Sequence, residues 1–147
     1  MQECCAIPYR RTQLGVEFCL ISRVKVNRWE FPKLSRREDF SSRALLDEVA
    51  KSVGADGELE TDEPLAEFVA SRCGESCRTS AYLMRVTGVK EQWPEQEARR
   101  RLWCLAEEAR IRIRRKPLRR FIDLALRQVE ARLTSNGHSL NGHAHVG

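Results

Sequence analysis

Glu48, Lys51 and Ser52 are the residues of this 147-residue chain whose types and spacing most directly suggest chemistry. Positions three and four apart on an α-helix are neighbours, so these three side chains would share one helical face. A carboxylate on such a face can bind a divalent cation, which takes hard oxygen ligands. It can also pair with the lysine three residues later, and the residues alone favour this ion pair over metal ligation.

A second chemical feature is the uneven distribution of charge. The segment 90–132 contains thirteen basic and seven acidic residues, whereas the whole chain has a net charge of +5. The segment includes three arginines in succession, Arg99, Arg100 and Arg101. Such a surface can bind a phosphorylated small molecule, bind nucleic acid, or simply be solvated. The residues leave these alternatives open, and nucleic-acid binding through the C-terminal helices is the weakest of them.

Cysteines and histidines do not form a recognisable site in the sequence. The six cysteines lack a second Cys or His pair at zinc-ligand spacing, so we expect free structural thiols. All three histidines fall in the segment 134–147, which has no apolar periodicity and which we expect to be a disordered tail. Without a histidine in the folded part, Ser-His-Asp and Cys-His catalytic arrangements are excluded.

Length and composition predict one soluble domain, which we place at residues 1–133. At 41% hydrophobic and 32% charged, the chain can form a core and a well-solvated surface. No run approaches the roughly 18 apolar residues of a spanning helix, so a membrane protein is excluded. The N-terminus has neither a basic nor an apolar signal region, and we therefore expect a cytoplasmic location.

The Glu48 face requires a helix to position it. A helix is predicted from Ser41 to Val53, because Ser41 can cap its first turn, an apolar stripe follows, and Gly54 can end it. A strand is predicted over 6–11, and because it contains Pro8 we expect an edge strand or a strand that enters the sheet. The other predicted elements are a hairpin at Gly15, a loop over 55–63, strands over 65–70 and 81–89, a helix over 94–114 that can break near Trp103, and a helix after Pro117.

The segment Arg28-Trp29-Glu30-Phe31-Pro32-Lys33, followed by a loop and a capped helix that ends at Gly54, resembles the approach to a Nudix box. The signature of that box is GX5EX7REUXEEXGU, in which U is a bulky aliphatic residue. The resemblance covers roughly residues 4 to 125, the size of one domain. Its C-terminal part is similar to the diphosphoinositol-polyphosphate and diadenosine-polyphosphate hydrolase branch. It implies a Nudix-like α/β/α sandwich with a mixed β-sheet.

Placing the box on Gly54 assigns its positions to this sequence. Glu48 matches the glutamate of the RE pair, and the resemblance makes it the candidate catalytic and metal-binding residue. Lys51 and Ser52 occupy the positions of the EE pair, so two of the carboxylates that the family uses for metal are replaced. Two further carboxylates near the box complete the candidate metal ligands: Asp39 and Asp47.

Two functions follow from the resemblance. The first is a divergent hydrolase that acts on a diphosphate-linked compound of nucleotide or inositol-phosphate type with Mg²⁺ or Mn²⁺. Its catalysis would be weak or lost, because most metal-binding glutamates are replaced. The alternative is a non-catalytic Nudix-fold binding or regulatory protein without a cofactor, which holds a phosphorylated ligand or a macromolecule. The candidate binding residues are Lys33, Lys51, Arg99, Arg100 and Arg101.

Overall fold

The computed structural model describes residues 2–36 and 40–141. Within these ranges the chain forms seven strands and three helices. They are β1 (Gln2–Thr12), β2 (Gly15–Arg23), β3 (Lys33–Arg36), α1 (Ser42–Val53), β4 (Ala55–Leu59), β5 (Ala66–Arg72), β6 (Glu75–Val89), β7 (Arg99–Leu105), α2 (Ala106–Arg112) and α3 (Lys116–Asn141). None of the helices in the described ranges combines the length and apolarity that a membrane span needs.

The strands of the described residues form one mixed sheet. Its central path runs β4–β6–β1–β2–β7, while β3 pairs with β1 and β5 pairs with β6. The β1–β6 pair is parallel, and the other pairs are antiparallel. The predicted hairpin at Gly15 is the β1–β2 connection. The prediction of a mixed sheet is therefore confirmed.

Helices cover both faces of the sheet, and the alternation of side chains along β1 shows how. Ile7 belongs to the core beneath α2 and α3, together with Ile122. Its neighbour Ala6 belongs to the core beneath α1, together with Leu45 and Val49. Successive strand residues point to opposite faces, so a strand covered on both sides is apolar at consecutive positions. The predicted α/β/α sandwich is confirmed.

β1 is not the edge strand that Pro8 suggested. It lies inside the sheet, because it pairs with β6 along one side and with β3 and then β2 along the other. Pairing with β3 ends at Cys5 and pairing with β2 begins at Tyr9. Ala6, two residues before Pro8 and thus on the same side of the strand, donates its N–H to the Pro32 carbonyl at 2.9 Å. Position 8 therefore lies in the gap between the β1–β3 and β1–β2 hydrogen-bond ladders. No ladder hydrogen bond is lost there because proline lacks an N–H.

The helix predicted over 94–114 is wrong for most of its length. Arg99–Leu105 is strand β7, and only Ala106–Arg112 is helical. Arginine and leucine have high helix propensities, and this local preference led to the prediction of a helix. Antiparallel pairing with β2 along the whole of β7 and the burial of Cys104 outweigh that local preference.

α1 matches the predicted helix in position and in both caps. The hydroxyl of Ser41 accepts a hydrogen bond from the Ala44 N–H at 3.3 Å. Gly54 has a φ of 68°, the left-handed conformation that glycine adopts without strain. Leu45 and Val49 are fully buried and determine which face of α1 packs against the sheet.

α3 extends beyond the boundary predicted for the domain. Its helical backbone continues to Asn141, whereas the sequence predicts a tail without structure from residue 134. Residues 142–147, which include His143 and His145, lie outside the described residues. The domain boundary at residue 133 stays a prediction.

All six cysteines are free thiols, and five of them are buried. Burial raises the pKa of Cys19 to about 12 and that of Cys104 to about 12. These two thiols are therefore protonated at neutral pH and pack as small apolar side chains.

Candidate functional site

The C-terminal end of α1 is held by the segment 90–98 and by β7. Trp93 Nε1 donates a hydrogen bond to the Ser52 carbonyl at 2.9 Å, and Arg101 donates one to the Val53 carbonyl at 2.8 Å. The Arg101 guanidinium also lies 4.0 Å from the centroid of the Trp93 ring. These bonds satisfy carbonyl groups that a helix end leaves without partners. They fix the last turns of α1, which carry Glu48 and its neighbours.

A cavity of about 470 Å³, which we name the α1 cavity, lies beside this helix. Its walls come from the end of β2, the segment 26–33, α1, the start of β7 and the residue before α3. Of the described side chains that line it, five are basic and two are acidic, so the described wall is predominantly positive. The charged lining residues are Arg23, Arg28, Lys33, Arg99, Arg115, Glu30 and Glu48.

Both acidic side chains of the α1 cavity already have a lysine partner. The Glu30 carboxylate lies 3.2 Å from Lys33 Nζ, and the Glu48 carboxylate lies 3.8 Å from Lys51 Nζ. Arg28, by contrast, forms no ion pair with any residue of the described ranges. The acidic groups are thus neutralised by lysines, and an arginine without a carboxylate partner faces the cavity.

Lys51 lies between two carboxylates at the edge of the cavity. Its Nζ is 3.8 Å from Glu48 and 3.5 Å from Glu95, while Arg99 is 3.5 Å from the second oxygen of Glu95. These four residues form a network of alternating charge. Burial raises the pKa of Glu48; Lys51 opposes this shift and Glu95 adds to it. Glu48 is therefore easier to protonate than a glutamate in water.

Ser52 is a further polar residue in the cavity wall. It is only 2% exposed, and its hydroxyl has no hydrogen-bond partner in the described part of the chain. A buried polar group without a partner costs about 1–3 kcal/mol. An acceptor oxygen of a ligand that reaches this wall would give the hydroxyl a partner.

Three of the residues singled out from the sequence line the α1 cavity together, namely Lys33, Glu48 and Arg99. Lys51 lies beside them through its contact with Glu48. Lys33 also pairs with the buried Glu3 at 3.4 Å, which fixes its ammonium group at the cavity wall. The helical pairing of Glu48 with Lys51, favoured by the sequence, is present in the structure.

Arg100, Arg101 and Asp47, which were also singled out from the sequence, do not line the cavity. The guanidinium of Arg101 is used at the end of α1, and Arg100 donates a hydrogen bond to the Val26 carbonyl at 2.9 Å. The side chain of Asp47 is 70% exposed and lies 4.0 Å from Arg43 on the outer face of α1. Asp39 lies outside the described residues.

Sequence reasoning missed Arg23 and Arg28 as cavity residues, and it considered Arg115 only among the arginines of 110–115, which could bind phosphate or be solvated. Arg28 begins the segment that carried the family resemblance, and Arg115 belongs to the basic segment 90–132, so charge was the only available signal. Their convergence depends on how the start of α3 packs beside the segment 26–33, and no local pattern encodes that contact.

Comparison with known proteins identifies the fold. No protein-family model matches the sequence, and no curated protein matches it either. Solved structures do match. The Nudix domain of NrtR from Shewanella oneidensis, complexed with ADP ribose, is 11% identical and has a TM-score of 0.68, over 88% of this chain and 88% of that one.

Two further structures support the same assignment. A Nudix hydrolase from Nitrosomonas europaea is 13% identical with a TM-score of 0.66, over 84% of this chain and 86% of that one. An Ap4A hydrolase from C. elegans is 15% identical with a TM-score of 0.59, over 91% and 98% of the two chains. The chain therefore has the Nudix fold, as the sequence resemblance predicted.

The described residues do not fit the divalent cation that the Nudix resemblance implies. Mg²⁺ and Mn²⁺ take several oxygen ligands, usually carboxylates. The Lys51 ammonium instead lies between Glu48 and Glu95, where it and Arg99 together balance the two carboxylates, and it repels a dication. Among the described residues, no three or more His, Cys, Asp or Glu side chains are grouped so that they could hold a metal ion.

Proposed function

We propose that the protein binds a phosphorylated small molecule in the α1 cavity and that this binding requires no divalent cation. The charge of the cavity carries the proposal: among the described residues, five basic side chains face two acidic ones, and each of these acidic side chains has a lysine partner. A small molecule with phosphate groups would supply the missing negative charge. The protein then acts as a Nudix-fold binding or regulatory protein.

The types of basic residue support phosphate as the recognised group. Guanidinium groups can donate two parallel hydrogen bonds to a phosphate, and lysine adds a compact positive charge. Arg28 and Arg99 supply guanidinium groups, and Lys33 supplies the ammonium. ADP ribose, bound by the NrtR domain, and Ap4A, for which the C. elegans hydrolase is named, both carry phosphate groups.

Lys51 offers a reason why an anionic ligand would need no metal ion in this cavity. Its ammonium offsets the two carboxylates beside the cavity, so these groups do not repel an anionic ligand. Arg23, Arg28 and Arg115, which form no ion pair within the described residues, then remain fully available to the phosphate oxygens. Lys33 and Arg99 share their charge with neighbouring carboxylates. A chelator should consequently leave binding unchanged.

Arg99→Gln is expected to weaken the binding of inorganic diphosphate by about tenfold, because a charge-assisted hydrogen bond contributes about 1.5–3 kcal/mol. Isothermal titration calorimetry, with and without EDTA, measures this. Arg43→Gln is the matched control, since it removes a cation from α1 whose side chain is 81% exposed and outside the cavity. Equal losses in the two variants, or loss of binding in EDTA, would contradict the proposal.

A second candidate function is weak, metal-dependent hydrolysis through Glu48. Its support is that Glu48 lines the cavity and that burial raises its pKa, as in many general bases. The test is turnover of ADP ribose and Ap4A with Mg²⁺, Mn²⁺ or EDTA, beside a Glu48→Gln variant. We expect no turnover above that variant. Metal-dependent turnover that disappears in Glu48→Gln would favour hydrolysis over binding alone.

A further inference from the structure

A second, smaller cavity adjoins the α1 cavity. It has a volume of about 240 Å³ and shares three wall residues with its neighbour: Arg28, Glu30 and Arg115. Arg114 is among the residues that line only the smaller cavity. We name this cavity the α3 cavity, because it lies at the start of that helix.

The charge of the α3 cavity favours an anion. Among the described residues, three arginines line it, whereas the acidic lining residue, Glu30, is paired with Lys33 at 3.2 Å. Neither Arg28 nor Arg114 forms an ion pair with another residue of the described ranges. Two guanidinium groups that have no carboxylate partner among the described residues thus line one concave site.

The aromatic residue of the α3 cavity does not offer a free ring face. Trp29 is only 8% exposed, and the guanidinium of Arg100 lies 5.1 Å from its ring centroid. Stacking of a planar ring on this tryptophan is therefore blocked. The arginines and the amide of Asn27 are then the accessible groups that can recognise a ligand, and the buried indole N–H of Trp29 has no hydrogen-bond partner within the described residues.

The wall between the two cavities is fixed. The Val26 carbonyl accepts a hydrogen bond from the Ser22 hydroxyl at 2.6 Å and another from Arg100 at 2.9 Å. The segment that carries Arg28 is therefore tied to β2 and β7. The two cavities are adjacent, because they share Arg28, Glu30 and Arg115 as wall residues.

We propose that the α3 cavity is a second anion subsite and that the ligand carries two separated phosphate-type groups, one in each cavity. This inference rests on the proposed function, because it assigns the first of the two groups to the α1 cavity. Arg28 and Arg115 line both subsites and contact the part of the ligand between them. The ligand class is a small polyanion longer than a single diphosphate.

Inorganic diphosphate and linear inorganic tetraphosphate are suitable probes, since they differ in length and contain no other group. We expect tetraphosphate to bind the wild-type protein about tenfold more tightly in calorimetry. Arg114→Gln should remove most of this advantage and leave diphosphate affinity within about twofold. Asn27→Asp, which places a carboxylate in the same exposed wall, should do the same, and it keeps the test independent of how one variant folds.

Arg120→Gln is the control for general attraction, because Arg120 is exposed on α3 and lines neither cavity. The second subsite is overturned if Arg120→Gln lowers tetraphosphate affinity as much as Arg114→Gln does, or if the wild type binds both probes equally. The two proposals can fail separately. If tetraphosphate affinity depends on Arg114 but Arg99→Gln leaves diphosphate affinity unchanged, the α3 cavity binds an anion and the proposed function of the α1 cavity is overturned.

Discussion

Lys51→Glu is expected to create a divalent-cation site at the end of α1. The new carboxylate would stand near Glu48 and Glu95, which in the wild type lie 3.8 Å and 3.5 Å from the lysine ammonium. Three carboxylates that converge on one point repel one another unless a cation binds between them. We expect Mn²⁺ to bind this variant with a dissociation constant of about 0.1–1 mM, the range of weak carboxylate sites.

Electron paramagnetic resonance of free Mn²⁺ measures this directly, because the signal falls as the ion binds. Thermal stability gives a second readout, since an ion that binds only the folded state raises Tm. Lys51→Met is the matched control: it removes the ammonium and adds no ligand, so its affinity should be far lower than that of Lys51→Glu. If the wild type binds Mn²⁺ as tightly as Lys51→Glu does, the lysine is not what excludes the metal.

The parts of the structure that the sequence predicts well are those that local chemistry determines. α1 is one example: a hydroxyl at Ser41, an apolar stripe and a glycine at position 54 each act within a few residues. The Glu48–Lys51 pair is another, because helix geometry alone brings side chains three residues apart together.

The parts that the sequence predicts poorly are those that distant partners determine. Pro8 indicates an edge strand if only its missing N–H is considered. The structure tolerates the proline inside the sheet because β3 pairs with β1 before Pro8 and β2 pairs with β1 after it, which leaves a gap between the two ladders. In isolation, the segment Arg99–Leu105 would favour a helix. It forms strand β7 because its backbone pairs with β2 along its whole length.

The same distinction applies to the candidate site. Lys33 and Glu48 could be singled out because they lie on or near the sequence pattern that resembles the Nudix box. Arg99 could be singled out because it lies in the basic segment 90–132. Arg28 and Arg115 come from positions 87 residues apart in sequence, which is the difference of their residue numbers. They meet only because the end of α2 and the start of α3 return to the segment 26–33. The basic character of the cavity is thus a tertiary property.

β4 shows how this dependence on distant partners reaches the candidate site. The sequence predicts a loop over 55–63, because the segment is acidic and contains Gly57. The structure instead has strand Ala55–Leu59, which directly follows the end of α1 and pairs with β6 through a bulge between Asp56 and Gly57. The β4–β6 pairing therefore helps to hold the helix that carries Glu48.

Gly57→Ala is expected to destabilise the protein by about 3 kcal/mol, the upper part of the range for overpacking. A Cβ at position 57 would overlap the backbone carbonyl oxygen of Arg85 in β6. Backbone cannot rotate away as a flexible side chain does, so relief requires that β4 and β6 separate. For a domain of this size, 3 kcal/mol corresponds to a fall in Tm of about 6–12 °C, measurable by circular dichroism.

Gly88→Ala is the control for Gly57→Ala. It tests whether the destabilisation comes from the overlap with the Arg85 carbonyl or from the replacement of any glycine in this strand pair. Gly88 lies in β6 opposite Asp56, and a Cβ there would meet no atom within 4 Å. We expect its Tm to equal or slightly exceed that of the wild type, because alanine lowers the entropy of the unfolded chain. Equal destabilisation by both substitutions would show that the Arg85 carbonyl is not the cause. If only Gly57→Ala is destabilised, the acidic segment after α1 is an integral strand of the sheet, and its pairing supports the end of the helix at which the α1 cavity forms.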